Sequence, residues 1–84
     1  MVKIEYVNAA EGELGTFFQL DTEVKEVEEF VSSIEELACN SWIKPILTKT
    51  IVGNRVLIRG VIVINDNEKD RFRDDIENIL RRFK

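Results

Sequence analysis

The chain has 84 residues, 44% of them hydrophobic and 33% charged, and a formal net charge of −4. That length makes one domain, residues 1–84, and that composition excludes a disordered polymer. Histidine is absent, which excludes every triad built on an imidazole, and the longest uncharged apolar run, residues 60–64, is too short to span a bilayer.

The N-terminal residues lack the basic start and long apolar stretch of a secretory signal, and a single cysteine excludes an intrachain disulfide. Both readings point to a soluble, cytoplasmic protein. Val2, Ile4 and Tyr6 then alternate with Lys3 and Glu5, the period of a half-buried strand over 2–7. Residues 8–12 (NAAEG) read as a hairpin loop. A second strand follows over 13–20, with Leu14, Thr16, Phe18 and Leu20 on one face and Gly15, Phe17 and Gln19 on the other.

The period then changes. Val24, Val27, Phe30, Val31, Ile34, Leu37 and Ala38 recur at three- and four-residue steps, which predicts an amphipathic helix. Asp21 or Thr22 is the expected N-cap, Glu23 and Glu26 suit the positive end of the helix dipole, and Asn40 is expected to close the helix in a left-handed conformation. Cys39 lies beside the Ala38 stripe and is expected to be a half-buried structural residue. Trp42 is expected to plug the corner between the helix and the next strand.

Strands 43–52 and 55–64 are joined by Gly53-Asn54, a two-residue turn signal. Such a loop pairs Val52 with Arg55, Ile51 with Val56, Leu47 with Gly60 and Ile43 with Ile64. Paired residues share a face. Ile43, Pro45, Leu47, Ile51, Val56, Ile58, Ile62 and Ile64 then make a core face, interrupted only by Lys49. Lys44, Ile46, Thr48, Thr50, Leu57, Arg59, Val61 and Val63 make the other. Strand 55–64 (RVLIRGVIVI through Ile64) is thus apolar on both sides, and both sides need cover. Pro45 cannot donate to a ladder, so strand 43–52 belongs at a sheet edge. A last helix carries Phe72, Ile76, Ile79, Leu80 and Phe83 on one stripe. It starts at Asp66 or Asn67 and has Arg81, Arg82 and Lys84 at its C-terminal end, where cations are favoured.

The order β-β-α-β-β-α predicts an α+β two-layer sandwich: a four-stranded antiparallel sheet with two helices on one face. Connection rules favour the spatial strand order 2–7, 13–20, 55–64, 43–52. This arrangement resembles a ferredoxin-like plait circularly permuted so that its last strand comes first. The resemblance is one of architecture, and no motif ties the chain to a family.

Charge is divided unevenly along the chain. Residues 1–40 hold ten acids and two bases, net −8, and residues 41–84 hold ten bases and six acids, net +4. The paired acids Glu28-Glu29, Glu35-Glu36 and Asp74-Asp75 are adjacent, so on a helix they diverge by roughly 100° and make no catalytic pair. One cysteine without histidine builds no zinc site, and the four glycines are isolated, so no phosphate loop exists. These readings predict no catalytic residue, no metal and no cofactor. The expected function is that of a small non-enzymatic interaction or regulatory module. Its interface is expected at Phe17, Leu57, Arg59, Val61 and Val63 on the open sheet face, bound to a second copy in a homodimer or other homo-oligomer, or to another protein. The alternative is a nucleic-acid-binding domain using Lys44, Lys49, Arg55 and Arg59 of the second hairpin with Phe17 as a stacking ring. The net negative charge and the lack of interleaved aromatics weigh against it.

Overall fold

A computed structural model describes residues 2–83, so the expectation for Lys84 lies outside the described residues. The elements are β1 (Val2–Ala10), β2 (Glu13–Glu23), α1 (Val27–Ser41), β3 (Ile43–Val52), β4 (Arg55–Asn65), a 3-10 turn (Asp66–Glu68) and α2 (Lys69–Phe83). The four strands form one antiparallel sheet in the order β1-β2-β4-β3, as the connection rules predict. Both helices lie on one face and bury their apolar stripes there: Phe30, Val31, Ile34 and Ala38 from α1, and Phe72, Ile76 and Ile79 from α2. None of the described helices is long and apolar enough to cross a membrane.

The core is built around Phe18. Its ring is fully buried and meets Trp42 and Phe72 edge-on, with centroids 5.3 and 5.6 Å away; Trp42 and Phe72 are themselves 5.1 Å apart. Such edge-to-face contacts are worth about 0.5–1.5 kcal/mol each beyond the area they bury. Trp42 thus fills the corner after α1. The ring of Phe18 lies across its register partner Gly60, whose missing side chain leaves the space. A second aromatic contact, Phe30 with Phe83 at 5.5 Å, joins the two helices.

The hairpin register holds from Val52↔Arg55 through Leu47↔Gly60 and on to Ile46↔Val61. Gly53 has a positive φ of 59° and Asn54 does not, the pattern of a II′ rather than a I′ turn. Beyond Ile46 the register changes. Lys44 takes a φ of 51° next to Pro45, and Ile43 pairs with Val63 instead of Ile64. The physical cause is Pro45: it has no N–H to give the ladder, and the chain bulges around it. Ile43 is therefore not on the core face. It turns outward, 48% exposed, while Trp42 takes the inward position. Pro45 itself is exposed.

Four further expectations are corrected. The first hairpin loop is only Glu11-Gly12, because β1 continues to Ala10. Asp21 and Thr22 do not cap α1. They belong to β2, where Thr22 pairs with Val56 and Glu23 with Arg55, since the ladder satisfies a backbone group at every residue and a cap satisfies one. The N-cap is Glu26, which makes no side-chain cap bond, and Asn40 is helical, with Trp42 ending α1 in an extended conformation. Cys39 is exposed rather than half-buried, because it points about 100° away from the buried Ala38.

Candidate functional site

The face of the sheet away from the helices has no cover. Register and pleat fix which side chains stand on it. One row across β1, β2, β4 and β3 reads Val7, Gly15, Val63, Ile43, and the next reads Glu5, Phe17, Val61, Ile46. Val7 is 66% exposed, Phe17 41%, Val61 46% and Ile46 69%, while Val63 is half-buried by its neighbours. Two adjacent rows thus form one apolar patch across all four strands. Gly15 makes a notch in it between Val7 and Val63, with Phe17 beside it.

The following rows are mostly polar, with Leu57 and Val52 as their apolar members. Lys3, Gln19, Arg59 and Thr48 make the third, then Asp21, Leu57 and Thr50, then Glu23, Arg55 and Val52. Arg55 donates from Nε to Asp21 Oδ1 at 3.2 Å and from Nη2 to Asp21 Oδ2 at 3.1 Å, a two-point bond across the strands. That bond holds the Asp21 carboxyl below the ordinary aspartate range and raises the Arg55 guanidinium further. Lys3 lies 3.8 Å from Glu5. Arg59, at the centre of the third row, makes no ion pair among the described residues.

All five expected interface residues, Phe17, Leu57, Arg59, Val61 and Val63, stand on this face. Leu57 is apart from the others: it sits among Asp21, Thr50 and Arg59, outside the apolar patch. Ile43 is the member that sequence reasoning missed. Pro45 was the available signal, since a proline inside a strand marks a bulge as well as an edge. The four bases of the second hairpin are not brought together. Lys49 is on the helix side, 3.0 Å from Glu35; Lys44 sits in the bulge; Arg55 and Arg59 share the open face, where Arg55 is held by Asp21.

No family model matches this chain, and comparison with curated proteins and with solved structures gives no significant match. The reading of the site therefore rests on its geometry.

Proposed function

We propose that this chain is a small non-enzymatic interaction module whose working surface is the open sheet face, and that a second copy of the chain docks there. The observation that carries the reading is the apolar patch of Val7, Phe17, Val61, Val63, Ile43 and Ile46 on a face that neither helix covers. An apolar centre with a charged margin is the anatomy of protein interfaces, and a domain this small gains much from association.

The patch also fits itself. Two sheets pack face to face about 10 Å apart. A two-fold axis in that plane, running across the strands between the two apolar rows, lays Phe17 of each copy over Gly15 of the other and Val63 over Val61. The same axis sets Asn65 over Arg59 of the opposite copy with Glu13 one strand to the side, which brings a carboxylate toward a base that has no ion pair among the described residues, and it sets Val7 over Glu5. The dispersal of Lys44, Lys49, Arg55 and Arg59 over both faces weighs against a phosphate-binding track.

The test is molar mass by light scattering during size exclusion over a range of concentrations. The wild-type chain is expected to run at about twice its 9.8 kDa. Val61→Glu, on an exposed position, is expected to keep native far-UV circular dichroism and run as a monomer. A wild-type monomer at every concentration, or a Val61→Glu chain that stays dimeric, refutes the proposal.

A further inference from the structure

A second surface lies along the outer edge of β3; it shares Ile46 with the open-face patch but is argued from separate observations. Of the ten residues of β3 only Leu47 is even half-buried; the rest are exposed. The helices cover the other strands and leave this edge bare. At the far edge, by contrast, α2 reaches over β1, where the Tyr6 hydroxyl donates to the Lys69 carbonyl at 3.1 Å.

The register decides which backbone groups of β3 are free. A two-residue loop makes Val52 and Arg55 a hydrogen-bonded pair, so Thr50, Thr48 and Ile46 also face β4. The bond from Val24 N–H to the Asn54 carbonyl, 2.9 Å, confirms this phase, since it turns the even-numbered groups of β4 toward β2 and leaves the odd ones for β3. The N–H and C=O groups of Leu47, Lys49 and Ile51 therefore point out of the sheet with no strand beside them. Segment 46–52 (ILTKTIV) has high strand propensity and no proline or glycine, so the usual protections of an edge are limited to Lys49 within it and the Lys44-Pro45 bulge before it.

Beside this edge runs a shallow groove of about 110 Å³ between β3 and α1, floored by Val31, Ile34, Leu47 and Ile58. Ile51, 44% exposed, continues its apolar wall toward the hairpin. The helical rim of the groove is acidic. Glu35 lies on it, and Glu28 is two turns earlier on the same helix face. α1 has four acids and no base. Lys49 meets Glu35, and Glu28 makes no ion pair among the described residues.

We infer that β3 accepts an extended segment of another protein as a fifth strand, with apolar side chains toward α1 and a basic residue placed to meet Glu28. Free backbone groups would supply affinity and the groove selectivity, the general mode of strand addition. A second copy of this chain suits the edge poorly. Antiparallel pairing of β3 with itself about its middle would set Lys49 against Lys49 and bring the acidic faces of two α1 helices together.

The probe is an acetylated heptapeptide of sequence KTVTVTK, titrated to roughly millimolar against ¹⁵N-labelled protein. Its valines face the groove, its lysines reach the rim and its threonines continue the surface of Thr48 and Thr50. Amide shifts are expected at residues 46–52 and along the Glu28–Glu35 face of α1. Lys49→Pro removes an outward N–H, which an edge strand tolerates, together with the ion pair to Glu35, and should weaken binding about tenfold or more, whereas Lys49→Ala loses the same ion pair but keeps the N–H and keeps binding. On unaltered protein, the same peptide N-methylated at both valines should not bind, and the glutamate-ended ETVTVTE should bind more weakly. Absence of shifts, shifts confined to the open face, or equal binding of the N-methylated peptide overturns the inference. So does a β3 edge already occluded by self-association, seen as peptide binding that vanishes as protein concentration rises.

Discussion

Gly60→Ala tests how tightly the core is set around Phe18. A Cβ at this position would lie 2.5 Å from Leu47 Cδ2 and 2.7 Å from Phe18 Cζ, about 1 Å inside ordinary contact. Leu47, half-buried at the sheet edge, can shift its side-chain end, but Phe18 cannot yield easily. Phe18 is fully buried and is held edge-on by Trp42 at 5.3 Å and Phe72 at 5.6 Å, so moving its ring disturbs both contacts. Overpacking of this kind costs roughly 1–3 kcal/mol. The lost freedom of the unfolded chain returns only about 0.4–1 kcal/mol, so a net loss of about 1–2 kcal/mol is expected. With an m-value near 1 kcal/mol/M for a domain of this size, the urea midpoint should fall by about 1–2 M, read by circular dichroism and tryptophan fluorescence. Phe18→Leu in the same background should cost less than it does in the wild type, because the shorter side chain vacates the space the new methyl needs. A Gly60→Ala protein as stable as the wild type, or a double variant whose losses simply add, would refute the packing argument.

Two other outcomes follow from polar groups. The Thr16 and Thr22 hydroxyls are buried on the core face of β2 with no hydrogen-bond partner among the described residues, so Thr16→Val should stabilise the protein by about 1 kcal/mol in the same titration; a loss instead would mean the hydroxyl is satisfied. Two carboxylates, the half-buried Asp21 and the exposed Glu29, should act with opposite sign on the acid side of the stability curve. Asp21 is lowered by its bond to Arg55, so its contribution is present at neutral pH and lost as pH falls through its folded pKa; Asp21→Asn should be less stable than wild type at pH 7 and equal to it in strong acid. Glu29 is raised by a hydrogen bond and charge from Glu26, so the fold favours its protonated form and is relatively penalised above that pKa; Glu29→Gln should be more stable at pH 7, again converging in acid. Gaps that stay constant from neutral to strongly acid pH would contradict both assignments.

The sequence by itself determined the element types, the strand order and most of the open face. These follow from local rules: a period of two or 3.6, a two-residue turn that fixes a register, and connections with a preferred hand. From Gly53-Asn54 the pairing of Leu47 with Gly60 follows by counting, and with it the sides on which Phe17, Leu57, Arg59, Val61 and Val63 stand. The tertiary structure decided what happens where two elements compete for the same residues. Asp21 and Thr22 suit a helix cap, yet the first residues of β4 offer them a longer ladder. Ile43 alternates correctly for the core, yet the bulge at Lys44-Pro45 turns it outward and puts Trp42 inside. The four bases of the second hairpin are close in sequence, yet pleat and ion pairs scatter them. The bare edge of β3 was the least legible feature, because it depends on where α1 stops covering the sheet. That position is set by the packing of Phe30, Ile34 and Ala38 into the shared core, a balance of contacts among residues distant in sequence that no local pattern records.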